Sequence, residues 1–382
     1  MHRNGLLKKA IIGLLLLLSA KVFGEDVLFF EAKDDGYGRA TTFQVVLGDV
    51  DGDGDLDAVF ANQGSFPSRV LLNNGAGQFT YTEQLLTGNG HGAGLADLDG
   101  DGDLDLFITC AYAFGISKPS RVYFNDGTGT FTDSGQDLGD TALSGNLVQL
   151  VDIDHDGDVD AFVAYLTVPG MDFISHVYLN DGMGTFSLSD YAFAYGTLFE
   201  DLDGDGDVDA FIKQTGIGYA VQMNDGAGTF AETWQYEDTV TSYEPWNAVF
   251  GDFDKDGTID ILDANGSATT AGPTRLFLND GHEGYQVTDP GIPDAKAAWP
   301  VVADFNRDGH LDVFLSLTSD FDQLWLGVGS GHFIDSGVRL GRADSRGAAA
   351  GDVDSDGDLD LFVPVYGFVG GPNRLWLNVF GE

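Results

Sequence analysis

Asp49-Val50-Asp51-Gly52-Asp53-Gly54-Asp55-Leu56-Asp57 is the first of seven copies of one nine-residue phrase. The others begin at Asp97, Asp152, Asp201, Asp252, Asp304 and Asp352, at spacings of 48, 55, 49, 51, 52 and 48 residues. A period near fifty identifies a repeat architecture, whose units bury a continuous core only by stacking on one another.

Six copies carry carboxylates at positions one, three, five and nine. They are Asp49, Asp51, Asp53 and Asp57; Asp97, Asp99, Asp101 and Asp105; Asp152, Asp154, Asp156 and Asp160; Asp201, Asp203, Asp205 and Asp209; Asp252, Asp254, Asp256 and Asp260; Asp352, Asp354, Asp356 and Asp360. The sixth copy has Asp304, Asn306, Asp308 and Asp312. Position seven is Asp55, Asp103, Asp158, Asp207, Thr258, His310 or Asp358, and position six is always Gly. Position eight is always Leu, Val or Ile, expected to point inward and pin the loop.

Oxygen ligands at alternate positions, with Gly at the sharp bend and a backbone carbonyl at position seven, are the opening half of a calcium-loop recipe. An EF-hand would add a Glu at position twelve and flanking helices. Position twelve here is Phe60, Ile108, Val163, Ile212, Asp263, Leu315 or Val363, which rejects that motif. Magnesium fits less well, because it demands a tight octahedron and keeps its waters. The expectation is Ca²⁺, up to seven ions, one per repeat. Occupancy is least secure in the fifth loop, with Lys255 and Thr258, and in the sixth, with Asn306 and His310.

Strands flank each loop. Phe43 to Leu47 or Trp246 to Phe250 reads as a first strand, and Leu56 to Phe60 or Leu104 to Ile108 as a second. A third strand ends in Asn125-Asp126-Gly127 or its equivalents, a tight-hairpin signal, and a fourth starts at Phe131, Phe186 or Phe230. Seven such units without an amphipathic helix predict an all-β fold: a seven-bladed β-propeller of four-stranded antiparallel blades. The last unit stops after its third strand at Leu375 to Asn378. Phe30 lies at the same offset before its loop as Phe333, so a segment near Val27 to Phe30 is expected to supply the missing strand. The ring then closes by pairing the N- and C-terminal strands, which removes an open edge.

This unit resembles the FG-GAP and VCBS-type repeats that build the propellers of integrin α-subunits and many secreted bacterial proteins. The resemblance covers essentially the whole chain after residue 24. It implies calcium held between the first and second strands of each blade.

The chain has 18 Lys and Arg against 61 Asp and Glu, a formal charge of −43, which argues against a nucleic-acid partner. Residues 1–24 place Arg3, Lys8 and Lys9 before the apolar run Ala10 to Ala20, as a secretory signal does, leaving 25–382 as a single propeller domain. The expected product is secreted or periplasmic, with no stable membrane anchor after cleavage. A lone cysteine, Cys110, precludes a disulfide within the chain.

The face opposite the calcium loops is the candidate ligand face. Phe66, Tyr112, Phe114, Tyr165, Tyr243, Trp246, Trp299, Phe321, Tyr366 and Phe368 are assigned to it, with His91, Arg342 and Arg346 nearby. Exposed aromatics suit stacking on sugars or on a protein partner, whereas packing between blades is the structural alternative. Arg69, Arg121, Arg275 and Arg374 recur at the start of third strands, which favours a structural role. No His-Glu-x-x-His or Gly-x-Ser-x-Gly occurs. The sequence therefore reads as a non-catalytic binding or adhesion module for a glycan or an extracellular protein. A polysaccharide lyase or hydrolase working from the same face, or a structural coat component, are the alternatives.

Overall fold

The computed structural model describes residues 30–33, 37–38, 40–112, 118–139, 142–167, 172–214, 216–238, 248–266, 271–282, 284–296, 298–366 and 372–380. The signal segment assigned to 1–24 lies outside them. No helix occurs among the described residues, and none is long and apolar enough to cross a membrane.

Seven antiparallel sheets follow one another along the chain. In blade 2 the strands are Gly90–Ala96, Asp105–Cys110, Arg121–Asn125 and Phe131–Asp133, each paired to the next. In six of the seven neighbouring pairs, including blades 7 and 1, the first strands lie side by side around a common axis. The ring closes as expected: Phe30–Ala32 pairs antiparallel with Arg374–Asn378, in the register Phe30 to Asn378. The described part of the closing strand begins at Phe30, and Val27 to Phe29 of the expected segment lie outside the described residues. Blade 6 departs from the common plan. Its second and third strands run as one element, Asp312–Gly327, with the first half paired to Ala298–Ala303 and the second to Phe333–Ser345.

The core is divided among the blade interfaces. Seven apolar clusters are found among the described residues, and each joins two adjacent blades. Phe60, Phe79 and Phe362 meet edge to face between blades 7 and 1, at centroid distances of 5.1 to 5.3 Å. Such pairing adds about 0.5–1.5 kcal/mol per pair beyond the area buried.

Loop position two is the anchor that the pattern of acids conceals. Val50, Leu98, Ile153, Leu202, Phe253, Phe305 and Val353 are all buried, each in the cluster shared with the following blade. Position eight is half-buried and packs the other way: Leu56, Val159, Val208, Ile259, Leu311 and Leu359 join the cluster shared with the preceding blade. Each acidic loop therefore grips both of its neighbours.

Candidate functional site

The acidic loops are built by hydrogen bonds that only this spacing allows. In every copy the position-one carboxylate accepts the N–H of the position-six Gly, at 2.8 to 3.1 Å. Its second oxygen accepts the position-four N–H in loops 1, 2 and 4, and the position-five N–H in loops 3, 5, 6 and 7. The split follows position four, which is Gly in the first set and His155, Lys255, Arg307 or Ser355 in the second. All four non-glycine residues are left-handed, with φ from 56° to 66°. Position six is left-handed as well, at φ 81° to 100°. The loop thus needs two left-handed residues, of which sequence reading found one.

Position nine is the most buried carboxylate of each loop; Asp57, Asp105, Asp160, Asp209, Asp260, Asp312 and Asp360 are at most 1% exposed. One oxygen accepts the position-two N–H, as from Leu98 to Asp105 at 3.0 Å. The other accepts an N–H from the end of the third strand, as from Asn125 to Asp105 at 2.8 Å. Burial raises these carboxyls to about 6 or 7 despite the two backbone donors that oppose it. The position-three carboxyls Asp51, Asp99, Asp154, Asp203, Asp254 and Asp354 are also raised, by burial first and by their acidic neighbours next.

The hairpin Asn that closes each third strand is an inter-blade staple. Asn125 Nδ2 donates to Leu104 O of its own blade at 3.2 Å and to Val50 O of the preceding blade at 2.8 Å. Asn73, Asn180, Asn224, Asn279 and Asn378 make the same reach to the preceding blade. In blade 6 the position is Gly327, where a side chain would collide with the backbone of Leu311, and Gly331 N donates to Phe253 O at 3.2 Å instead.

The structure brings carboxylate oxygens of positions one, three and five together in loops 1 and 2, within 4.8 Å of one another. In loops 3, 4 and 5 the converging positions are one, three and nine. Asp154 Oδ1 and Asp354 Oδ1 are buried and accept no hydrogen bond among the described residues. An all-oxygen set of converging carboxylates with orphaned acceptors fits a hard divalent cation. The side chains of position seven are used differently. Asp207 meets His155 of the preceding loop at 2.7 Å, and Asp358 meets Arg307 at 2.7 Å. Lys255 brings its ammonium to the sixth loop, 3.2 Å from where a Cβ on Gly309 would sit.

Of the aromatics assigned to the opposite face, Phe66, Tyr112 and Phe321 are exposed and Tyr366 is half-buried. Tyr165 and Trp299 are instead buried, Tyr165 with its hydroxyl 3.1 Å from that of Tyr178. Phe114, Tyr243, Trp246 and Phe368 lie outside the described residues. His91 is buried, holds Asn146 O with Nδ1 at 2.9 Å, and is pushed by burial to about 3, so its ring is neutral. The recurrent arginines are structural where they can be followed: Arg69 donates to Thr82 O and lies over Tyr81, while Arg121 pairs with Asp137 at 2.7 Å.

Fold and loops together define a ring of repeats in which each blade offers one acidic loop and one apolar grip on each neighbour. The FG-GAP-like repeat family matches residues 49–108, 97–163, 201–262 and 304–363, more than half of the chain, and the protein belongs to that family. No curated protein matches it in sequence. Among solved structures it resembles the BP39L lectin from Burkholderia pseudomallei, with a TM-score of 0.63 and 12% identity, over 89% of this chain and 96% of that one. It also resembles BBS1N, solved in complex with ARL6DN, at 0.58 and 10% over 92% and 98%. The WD40 domain of Toxoplasma gondii coronin follows, at 0.51 and 8% over 94% and 88%. At these identities the likeness is one of fold.

Proposed function

We propose that this protein is an exported, calcium-stabilised propeller that binds a glycan and catalyses no reaction. The observation that carries the metal half is the convergence of three carboxylates within 4.8 Å in successive loops, with orphaned oxygens on Asp154 and Asp354. Such clusters repel themselves unless a cation is shared among them. Positions one, three, five and nine would hold the ion, with position seven giving its carbonyl. Calcium would supply the positive charge that lets the buried position-nine carboxyls ionise.

The glycan half is supported by exposed aromatics at the ends of strands away from the acidic loops, and by a lectin sharing the architecture. The absence of catalysis is supported by His91, whose neutral ring is committed to a backbone carbonyl and is poorly placed to act as a general base. A glycan array probed with the mature protein in calcium tests the reading. Binding to a defined set of sugars supports it; no binding to any sugar, or turnover of one, overturns it.

A further inference from the structure

The six-residue offset before each loop collects a set of side chains that the acidic repeats conceal. Counting back from position one gives Phe43, His91, Asn146, Tyr195, Trp246, Ala298 and Arg346. Trp246 lies outside the described residues; of the others, Phe43, His91 and Asn146 lie in the first half of their innermost strands, Ala298 starts one, and Tyr195 and Arg346 stand just before theirs, about 20 Å along the strand from the acidic loops. In blades 1, 2 and 3 the pairing with the second strand slips here, between Thr42 and Gln44, Gly90 and Ala93, and Gly145 and Leu147. Bulges of this kind re-aim a side chain out of the ladder.

The re-aimed residues touch one another around the axis. Asn146 Nδ2 donates to Tyr195 OH at 2.6 Å, and His91 Nδ1 bonds Asn146 O at 2.9 Å. Phe43 stacks on His91 at a centroid distance of 3.3 Å. Arg346 continues the arc, with Cζ 5.5 Å from the Phe43 ring, 5.6 Å from Trp299 and 3.9 Å from Tyr366.

Arg346 is the chemically distinctive member. Its Nε meets Asp344 Oδ1 at 3.2 Å, and no other hydrogen bond or ion pair of its guanidinium is found among the described residues. Its side chain keeps 22% exposure. In a chain with 61 acids, a half-buried arginine has been left with its terminal nitrogens unengaged and three aromatic rings framing it. The free Nη1 and Nη2 form the end-on fork that matches a planar carboxylate with two parallel hydrogen bonds.

We infer that the axial mouth opposite the acidic loops binds a carboxylated sugar, a uronic acid residue whose carboxylate is held end-on by Arg346 and whose ring lies against the half-buried Phe43 and Tyr366. The inference rests on the glycan-binding reading above and narrows it to one site and one ligand class. The acidic exterior selects against anionic polymers at large, so recognition depends on this one fork.

The test is calorimetric titration of the calcium-loaded mature protein with uronic-acid trisaccharides of the galacto, gluco and manno series, each beside its methyl ester and its neutral counterpart. At least one acid should bind, with its ester and neutral form at least tenfold weaker. Arg346→Met should abolish that binding and Arg346→Lys should weaken it severalfold, both with unchanged melting and calcium content. If Arg346→Met fails to fold, the comparison of acid with ester decides alone. Equal binding of acid and ester, binding of neutral sugars only, or full affinity in a folded Arg346→Met protein overturns the inference and leaves glycan binding standing. No binding of any sugar overturns both.

Discussion

The second and sixth blades place the same loop on the same scaffold with different sources of positive charge. In blade 2, Asp97, Asp99 and Asp101 converge, and the preceding loop presents only Gly52 at the position that faces them. In blade 6 the preceding loop presents Lys255, position three is Asn306 and position seven is His310. Both keep the buried position-nine carboxylate with its two backbone donors: Leu98 and Asn125 for Asp105, Phe305 and Gly327 for Asp312. The comparison separates two jobs. Position nine ties the loop to its own blade in either case; on the calcium proposal, the outer acids of blade 2 take a dissolved cation, and the ammonium that Lys255 brings beside Gly309 would take its place in blade 6.

The largest effect should come from the shared part. Asp105→Ala and Asp312→Ala each leave two buried N–H groups without an acceptor, at a cost of roughly 3 kcal/mol or more. Urea unfolding in EGTA should give similar losses for the two, and in calcium Asp105→Ala should lose more. Equal losses in calcium would break the distinction between the blades.

Next comes the staple. Asn125→Ala removes the donor that spans blades 1 and 2 and should cost about 1–3 kcal/mol, measured in the same way. No equivalent bond exists at Gly327, so the interface of blades 5 and 6 depends on Gly331 and on packing.

Calcium itself should contribute about 1.4 kcal/mol per site at ten times its Kd. Asp101→Asn should lower the number of bound ions by one and remove that increment, whereas Asp308→Asn should leave the count unchanged. Loss of an ion in both would show that Lys255 does not replace calcium.

The metal-free protein should lose stability as the pH rises. Its position-nine carboxyls keep their protons up to about pH 6 or 7, whereas an unfolded Asp titrates near about 3.9. Between those values the folded chain binds more protons than the unfolded one, so stability falls from about pH 4 to about pH 7. Calcium competes for the same carboxylates, so its affinity should rise over that interval and flatten or reverse the trend. Melting curves in EGTA and in calcium across this range check both statements.

The smallest effect tests position four. Ser355→Gly relieves a left-handed residue and should stabilise by about 1 kcal/mol or less, whereas His155→Gly also removes the contact with Asp207 and should gain less. A thermal melt of each resolves the order.

Much of the architecture is legible in the residues because the repeat is written in two alphabets at once. The odd acids mark the loop, and the hairpin Asn-Asp-Gly marks the third turn, so strands and blade number follow. Closure was legible from Phe30 and Phe333 standing at one offset. What escaped the reading is whatever depends on neighbours in space. The forward grip of position two was hidden because an isolated Val or Leu between acids carries no direction. The left-handed position four was hidden because Gly52 stands there in the first copy but Arg307 in the sixth. Tyr165 and Trp299 were assigned to the ligand face by loop position, and packing from the adjacent blade buries them. The axial arc is spread over six blades and comes together only in space, helped by bulges in the first three.

The most direct test of the central claim is unfolding calorimetry of the mature protein in excess calcium and in EGTA, with bound calcium counted on the same sample. The account predicts a large downward shift of Tm in EGTA and several ions per chain, fewer than seven if Lys255 stands in for one. An unchanged Tm with no bound calcium would contradict it, leaving the acidic loops as solvated turns held by their backbone hydrogen bonds alone.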